Sequence, residues 1–279
     1  MKTVTNEIVN RFKVYLYEEE KSDNTIEKYM RDIRFFREWV GNKGIDKSIV
    51  LEYKKELCDK YAPKSVNSIL SSLNALFMYM NWYELKVKTL KIQRQIFANK
   101  EKELTKAEYE RLLTAAKNKK NERLYFLMQT LGSTGLRISE LKYVTCEAVN
   151  TGQAVINCKG KIRRVFLPKQ LCKMLKTYVK QQRIKSGSVF ITRSGRPLDR
   201  STIWKMLKDL CESANVIKSK VFPHNFRHLF AHTFYSLQKD IVRLADILGH
   251  ASINTTRIYT IESGDVHIKQ LQKLGLLRC

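Results

Sequence analysis

Only 11 glycines and 4 prolines punctuate 279 residues, so helices can run long before anything breaks them. Each is disfavoured inside a helix, by about 1 kcal/mol for glycine and about 3 for proline relative to alanine. Apolar residues accordingly recur at helical spacing along much of the chain. Val9, Phe12, Val14, Tyr15 and Leu16 make a stripe after Thr5. Asn24 with Glu27 three residues later reads as a capping box ahead of Tyr29, Ile33, Phe35, Phe36, Trp39 and Val40. A third helix is predicted from about Ile45 to Asp59. Pro63 opens a fourth, with Val66, Ile69, Leu70, Leu73, Phe77 and Met80 on one side, because proline is well placed in a first helical turn. The aromatic stripe reads as core, ahead of a base-stacking surface.

A polar stretch at 98–103 reads as an interdomain linker, and a chain of this length suits two domains, 1–98 and 99–279. The second part opens on another capping box, Thr105 with Glu108, before Tyr109, Leu112, Leu113 and Ala116. Helices continue to about Val144. Residues 154–157 and 162–167 read as two short strands around a glycine-containing turn at 158–161, and 189–192 as a further short strand. From Ser201 onward the chain reads as mostly helical. The fold class is therefore mainly α: a four-helix domain, then an α-rich domain carrying a small antiparallel hairpin sheet.

The charge is lopsided. The net charge is +25; residues 1–98 hold 18 basic and 13 acidic groups, and residues 99–279 hold 34 and 14. A field this positive calls for a polyanion. Nucleic acid fits better than a membrane, since no apolar run approaches the 18 or so residues of a spanning helix. The N-terminus shows no apolar signal segment, which points to the cytoplasm. Six cysteines at 58, 146, 158, 172, 211 and 279 are scattered without a C-x-x-C pair. That suits reduced, buried thiols, and neither a disulfide framework nor a zinc site.

Three segments concentrate the groups that handle a phosphate. In STGLRISEL, at 133–141, a glycine just before the next turn puts Arg137 near a helix start, where backbone amides also favour an anion. The plainer reading is a surface arginine paired with Glu140. In the second segment His224, Arg227, His228 and His232 share one helical face. His224 and His228 at i,i+4 could hold zinc. Asn225, however, stands where a metalloprotease has glutamate, and an arginine on the same face repels a cation. Plain structural histidines are a second reading, and anion recognition a third, with Arg227 as a planar fork and His224 moving a proton. In the third segment His250 precedes a helix starting at Ser252, and Tyr259 lies two turns along. A tyrosine is ordinarily a half-buried amphipathic side chain, but beside arginine and histidine the phenol becomes a candidate nucleophile. Together these suggest phosphoryl transfer without a metal, because the second part lacks the clustered carboxylates of a two-metal site.

These motifs resemble those of the tyrosine recombinase (phage integrase) family: A/S-T-G-L-R-x-S-E-L, H-x-L-R-H, and L-G-H followed nine residues later by tyrosine. Here they are 133–141, 224–228 and 248–259. Asn225 and Phe226 replace the usual threonine and leucine, and Ser133 the usual alanine. The N-terminal helices look like the family's SAM-like core-binding domain, so the resemblance spans nearly the whole chain. It implies that Arg137 and Arg227 hold the scissile phosphate, and that Tyr259 attacks it to form a 3′-phosphotyrosyl link. His224 would assist proton transfer and His250 would stabilise the transition state. Lys159, in the hairpin turn, would protonate the leaving 5′ oxygen, with Lys161 as its rival. Glu140 and His228 would support the site without reacting, and no metal, other cofactor or ATP is implied.

The resemblance further implies double-stranded DNA with inverted-repeat core sites as partner, bound by a homotetramer or a recombinase pair, with integration, excision, inversion or resolution as the outcome. With no preceding arm-binding domain evident, the chain looks like a simple Xer or DNA-invertase type. The amphipathic stretch at 266–277 either packs on its own domain or, by the resemblance, docks on a neighbouring protomer. Two alternatives remain: a type IB topoisomerase-like activity, and a catalytically silent DNA-binding regulator.

Overall fold

The structure, a computed structural model, describes residues 2–41, 43–92, 100–158, 161–250 and 252–259. The chain separates into two compact units, Met1–Arg94 and Gln95–Cys279.

In the first unit four helices form, α1 (Asn6–Glu18), α2 (Asp23–Val40), α3 (Lys47–Lys60) and α4 (Pro63–Tyr79). Thr5 caps α1 by accepting the Ile8 N–H, and Asp46 caps α3 by accepting the Ile49 N–H, each satisfying an amide that the helix itself cannot. Proline starts α4 as its missing N–H allows. The expected capping box at Asn24 and Glu27 is absent. The helix instead begins at Asp23 behind Ser22, whose hydroxyl lies 2.8 Å from that of Thr25. Helices α1 and α4 pack on α2, and α3 packs on α4. Phe12, Ile33, Phe36, Leu73 and Phe77 are wholly buried at the centre, each worth about 1.5–3 kcal/mol of transfer free energy. The aromatics are core as read, with the exception of Phe35, which is 57% exposed. The buried carboxylate of Asp32 is matched by Lys28 Nζ at 2.8 Å and the Ser72 hydroxyl at 2.9 Å, so the charge is not left unpaired.

In the second unit α5 (Lys106–Asn118) carries the expected Thr105–Glu108 capping box. It packs against α6 (Glu122–Thr134), which also meets α8 (Lys169–Gln181) and α10 (Pro223–Gln238). A 3₁₀ turn (Ile138–Tyr143) and α7 (Cys146–Thr151) lead into β1 (Gln153–Cys158) and β2 (Lys161–Phe166). These two strands form one antiparallel hairpin, with Ala154 opposite Val165 and Ile156 opposite Arg163. The expected strand at 189–192 does not form. Val189 and Phe190 are buried in the core, but the segment makes only isolated bridges, Thr145 with Ser188 and Ile191 with Pro197; an apolar run without a partner strand cannot build a ladder. Helices α9 (Arg200–Leu210), α11 (Ile241–Leu248) and α12 (Ile253–Thr256) are the remaining α-helices among the described residues of the unit. Cys146, Cys172 and Cys211 are buried free thiols as read, whereas Cys58 is exposed.

Candidate active site

Helix α6 ends on Gly135, whose φ of +63° is the left-handed conformation that glycine adopts without strain. Space requires glycine as well: a Cβ there would lie 2.5 Å from Phe230 Cδ1 and 3.0 Å from Leu248 Cδ2. The chain can therefore turn tightly under α10 and present Arg137 at the head of the 3₁₀ turn. The Arg137 N–H donates to Glu140 Oε2 at 2.8 Å and its Nη1 to Oε1 at 3.0 Å. Gly135→Ala combines a left-handed alanine with overpacking and is expected to cost about 2–4 kcal/mol, read as a shift of the urea midpoint; an unchanged midpoint would contradict this packing.

Arg227 comes up from α10 and is only 1% exposed. Its Nη1 donates to Gly135 O at 2.6 Å, its Nη2 to Leu248 O at 2.7 Å, and Nη2 also lies 2.8 Å from His250 Nε2. Both carbonyls belong to helix ends, where oxygens lack intrahelical partners. Burial lowers the Arg227 pKa to about 10, with nearby Arg137 adding to the effect and Tyr259 and Glu140 opposing it, so the guanidinium stays charged at neutral pH. Guanidinium only donates; His250 Nε2 therefore accepts, and its Nδ1 carries the proton toward the Thr256 hydroxyl 2.8 Å away.

Tyr259 ends a short 3₁₀ turn after α12 and is 1% exposed. The His228 ring meets it edge-on at 4.8 Å, and the His250 ring stacks over it at 6.0 Å. His224, at the start of α10, packs against His228 at 4.6 Å. Burial, then Arg227 and Arg137, hold the His224 pKa below its ordinary value. Burial lowers His228 to about 4, helped by His224, His232 and Arg227 against Glu103. Burial likewise brings His250 to about 4, with Arg227, Arg137, Arg163 and His224 adding to it.

Between pH of about 6.5 and 4 the unfolded chain then binds more protons at His228 and His250 than the folded chain does, so stability rises with pH across that window. The Tm is expected to fall as pH drops through it, and His250→Gln should flatten part of the slope. A wild-type Tm that does not change in that window would contradict the burial of these rings.

The structure thus brings Arg137, Glu140, His224, Arg227, His228, His250 and Tyr259 into one neighbourhood of the second unit. Lys159 lies outside the described residues, as do the side chain of Lys161 and the 266–277 stretch. One residue was missed, Arg163 on β2. Its Nη2 reaches Glu140 Oε2 at 2.6 Å and its Nη1 reaches Ile247 O at 2.8 Å. It thereby ties the hairpin to the carboxylate under Arg137 and to the helix end before His250. The signal was in the register: Arg163 sits opposite buried Ile156 and so shares the inward face, while Arg164 sits opposite exposed Val155. The arrangement can cradle one anionic group among two arginines and a neutral histidine, next to a phenol.

The Phage integrase family model matches residues 102–264, and that of the Phage integrase N-terminal SAM-like domain matches residues 9–84. The chain is 30% identical to the tyrosine recombinase XerA of Pyrococcus furiosus, over 99% of this chain and 96% of that protein. A crystal structure of XerA recombinase is similar with a TM-score of 0.53 and 26% identity, covering 99% of this chain and all of that one. The fold is also shared with a lambda integrase dimer bound to a COC′ core site, at a TM-score of 0.74 and 16% identity over 91% of this chain and 94% of the other.

Proposed function

Since the chain belongs to the phage integrase family, we propose that it is a tyrosine-type site-specific recombinase that cuts and rejoins double-stranded DNA through a 3′-phosphotyrosyl intermediate. The observation that carries this reading is the meeting of Arg137, Arg227, His250 and Tyr259, drawn from three separate stretches of sequence, around one buried guanidinium.

Arg227 and Arg137 bind the non-bridging oxygens of the scissile phosphate and offset the charge that builds in the transition state. Arg227 spends three of its five N–H donors on Gly135, Leu248 and His250, which leaves two for an oxyanion or the attacking phenol. The Tyr259 oxygen attacks phosphorus, a new P–O bond forms to tyrosine, and the bond to the 5′ oxygen breaks. His224, neutral at physiological pH, takes the phenolic proton, and Lys159 or Lys161 gives one to the departing 5′ oxygen. His250 aims the Arg227 fork and contacts the phosphate as charge develops. Glu140 and Arg163 keep Arg137 from folding away. The phosphotyrosyl bond keeps the energy of the phosphodiester, so a 5′ hydroxyl from a second strand can reverse the step without ATP.

Residues 1–98 form the core-binding domain and 99–279 the catalytic domain, and the DNA bound carries inverted-repeat core sites; the DNA-bound lambda integrase neighbour supports DNA as partner. The active assembly is a tetramer in the cytoplasm. Among the described residues no helix is long and apolar enough to cross a membrane.

The test is a suicide duplex, nicked near the cleavage position and carrying candidate inverted repeats from beside the gene. An adduct that survives denaturation, mapped by mass spectrometry to Tyr259 with a 3′-phosphate, is the expected result. Relaxation of any supercoiled plasmid regardless of sequence would instead favour a topoisomerase.

A further inference from the structure

Behind the candidate nucleophile, Glu103, His228 and His232 gather so that one ligand atom from each lies within 4.8 Å of the others. None of this is needed for phosphoryl transfer as described above. His228 and His232 are four residues apart on α10 and project from one side of it, the spacing by which a helix offers two imidazoles to one ion. Glu103 arrives from the segment before α5, which is pinned to α10 by the Asn225 side chain donating to Lys102 O at 2.8 Å. His232 Nε2 is buried without a hydrogen bond and stands 3.5 Å from Glu103 Oε1. A buried nitrogen left so costs free energy unless something engages it. The repulsion expected from an arginine on this helix is reduced, because the Arg227 guanidinium is turned toward Gly135 O and Leu248 O.

We propose that Glu103, His228 and His232 form a binding site for a borderline transition-metal ion of the Zn²⁺ class. Two imidazoles and a carboxylate are a ligand set Zn²⁺ accepts, at about 2.0–2.2 Å per bond with a fourth position left to water. The three ligand atoms, now within 4.8 Å of one another, draw inward to reach those bonds. Mg²⁺, which prefers oxygen ligands, is excluded by the two nitrogens. The ion takes no part in bond making. It fastens the segment leading into α5 to α10 and stiffens the His228 ring that Tyr259 packs against.

The experiment uses the full chain after dialysis against chelator, titrated with ZnCl₂ by calorimetry and with CoCl₂ by visible absorption. One equivalent of Zn²⁺ should bind and raise the Tm, Co²⁺ should give the intense visible bands of a four-coordinate site, and MgCl₂ should do neither. His232→Ala and Glu103→Gln should each weaken Zn²⁺ binding at least about tenfold, while His224→Ala should retain it. Absence of stoichiometric Zn²⁺ binding overturns the proposal and leaves a simple His232–Glu103 ion pair. Unchanged affinity in His232→Ala, or loss of binding in His224→Ala, overturns the ligand assignment. Covalent capture of DNA by Tyr259 does not enter these readouts, so the two readings fail separately.

Discussion

Tyr259→Phe is expected to abolish covalent capture of DNA while leaving DNA binding and folding almost unchanged. The substitution removes one oxygen from a ring that is 1% exposed and packed among His228, His250, Ala231, Leu244 and Leu248. Phenylalanine keeps that packing, so the Tm should move by only a few degrees. Binding should persist with a Kd within about threefold, because affinity for DNA comes mostly from phosphate contacts spread over a strongly basic surface. Cleavage loses the phenol that stands beside Arg227 and His250, so the denaturation-resistant adduct should fall below detection. The burial adds a second expectation. A phenol with almost no exposure has to leave its pocket to meet a phosphodiester, and the elements that hold it are a four-residue helix and a three-residue turn. Wild-type chain should therefore show faster tryptic cleavage at Arg257 when its DNA site is present. An adduct formed by Tyr259→Phe at the wild-type level would place the nucleophile elsewhere and sink the mechanism.

The helices and the hairpin were legible because their signals are local. Apolar spacing, Pro63 at a first turn and the Thr105–Glu108 pair each act over a few residues. The strand expected at 189–192 failed for the opposite reason: a short apolar run is compatible with any buried segment, and only a partner strand decides. The candidate site was legible through motifs that name residues, yet their surroundings were not. Arg163 looked like one of two adjacent surface arginines, and only the pairing across the hairpin shows which one turns inward. Glu103 read as linker, whereas it stands against His232. The burial of Arg227 was hidden too. Arginine is almost never fully buried unless paired, and here its partners are main-chain carbonyls at the ends of α6 and α11, which no side-chain pattern reveals.

That pairing leads to the second large effect, Arg227→Lys. Lysine keeps the charge and loses the fork, so one ammonium must replace a planar group that spans Gly135 O, Leu248 O and His250 Nε2. At least one buried carbonyl is left without its donor, which costs about 1–3 kcal/mol, and the Tm should fall by several degrees. His250 loses the donor that fixes its tautomer, and the phosphate loses a bidentate contact aimed at developing charge. Loss of a preorganised donor of this kind costs about 10²–10³ in rate, and two such losses put the cleavage rate of Arg227→Lys at the lower end of what the assay can follow. Binding should weaken only a few-fold, since one phosphate contact is lost among many. Arg137→Lys separates the roles. The Arg137 side chain is 41% exposed and meets Glu140 rather than the helix ends, so cleavage should drop with little change in Tm. Single-turnover cleavage and melting curves on both variants check the pair. Near wild-type cleavage by Arg227→Lys would mean that the buried guanidinium serves the fold alone, and that the phosphate is held elsewhere.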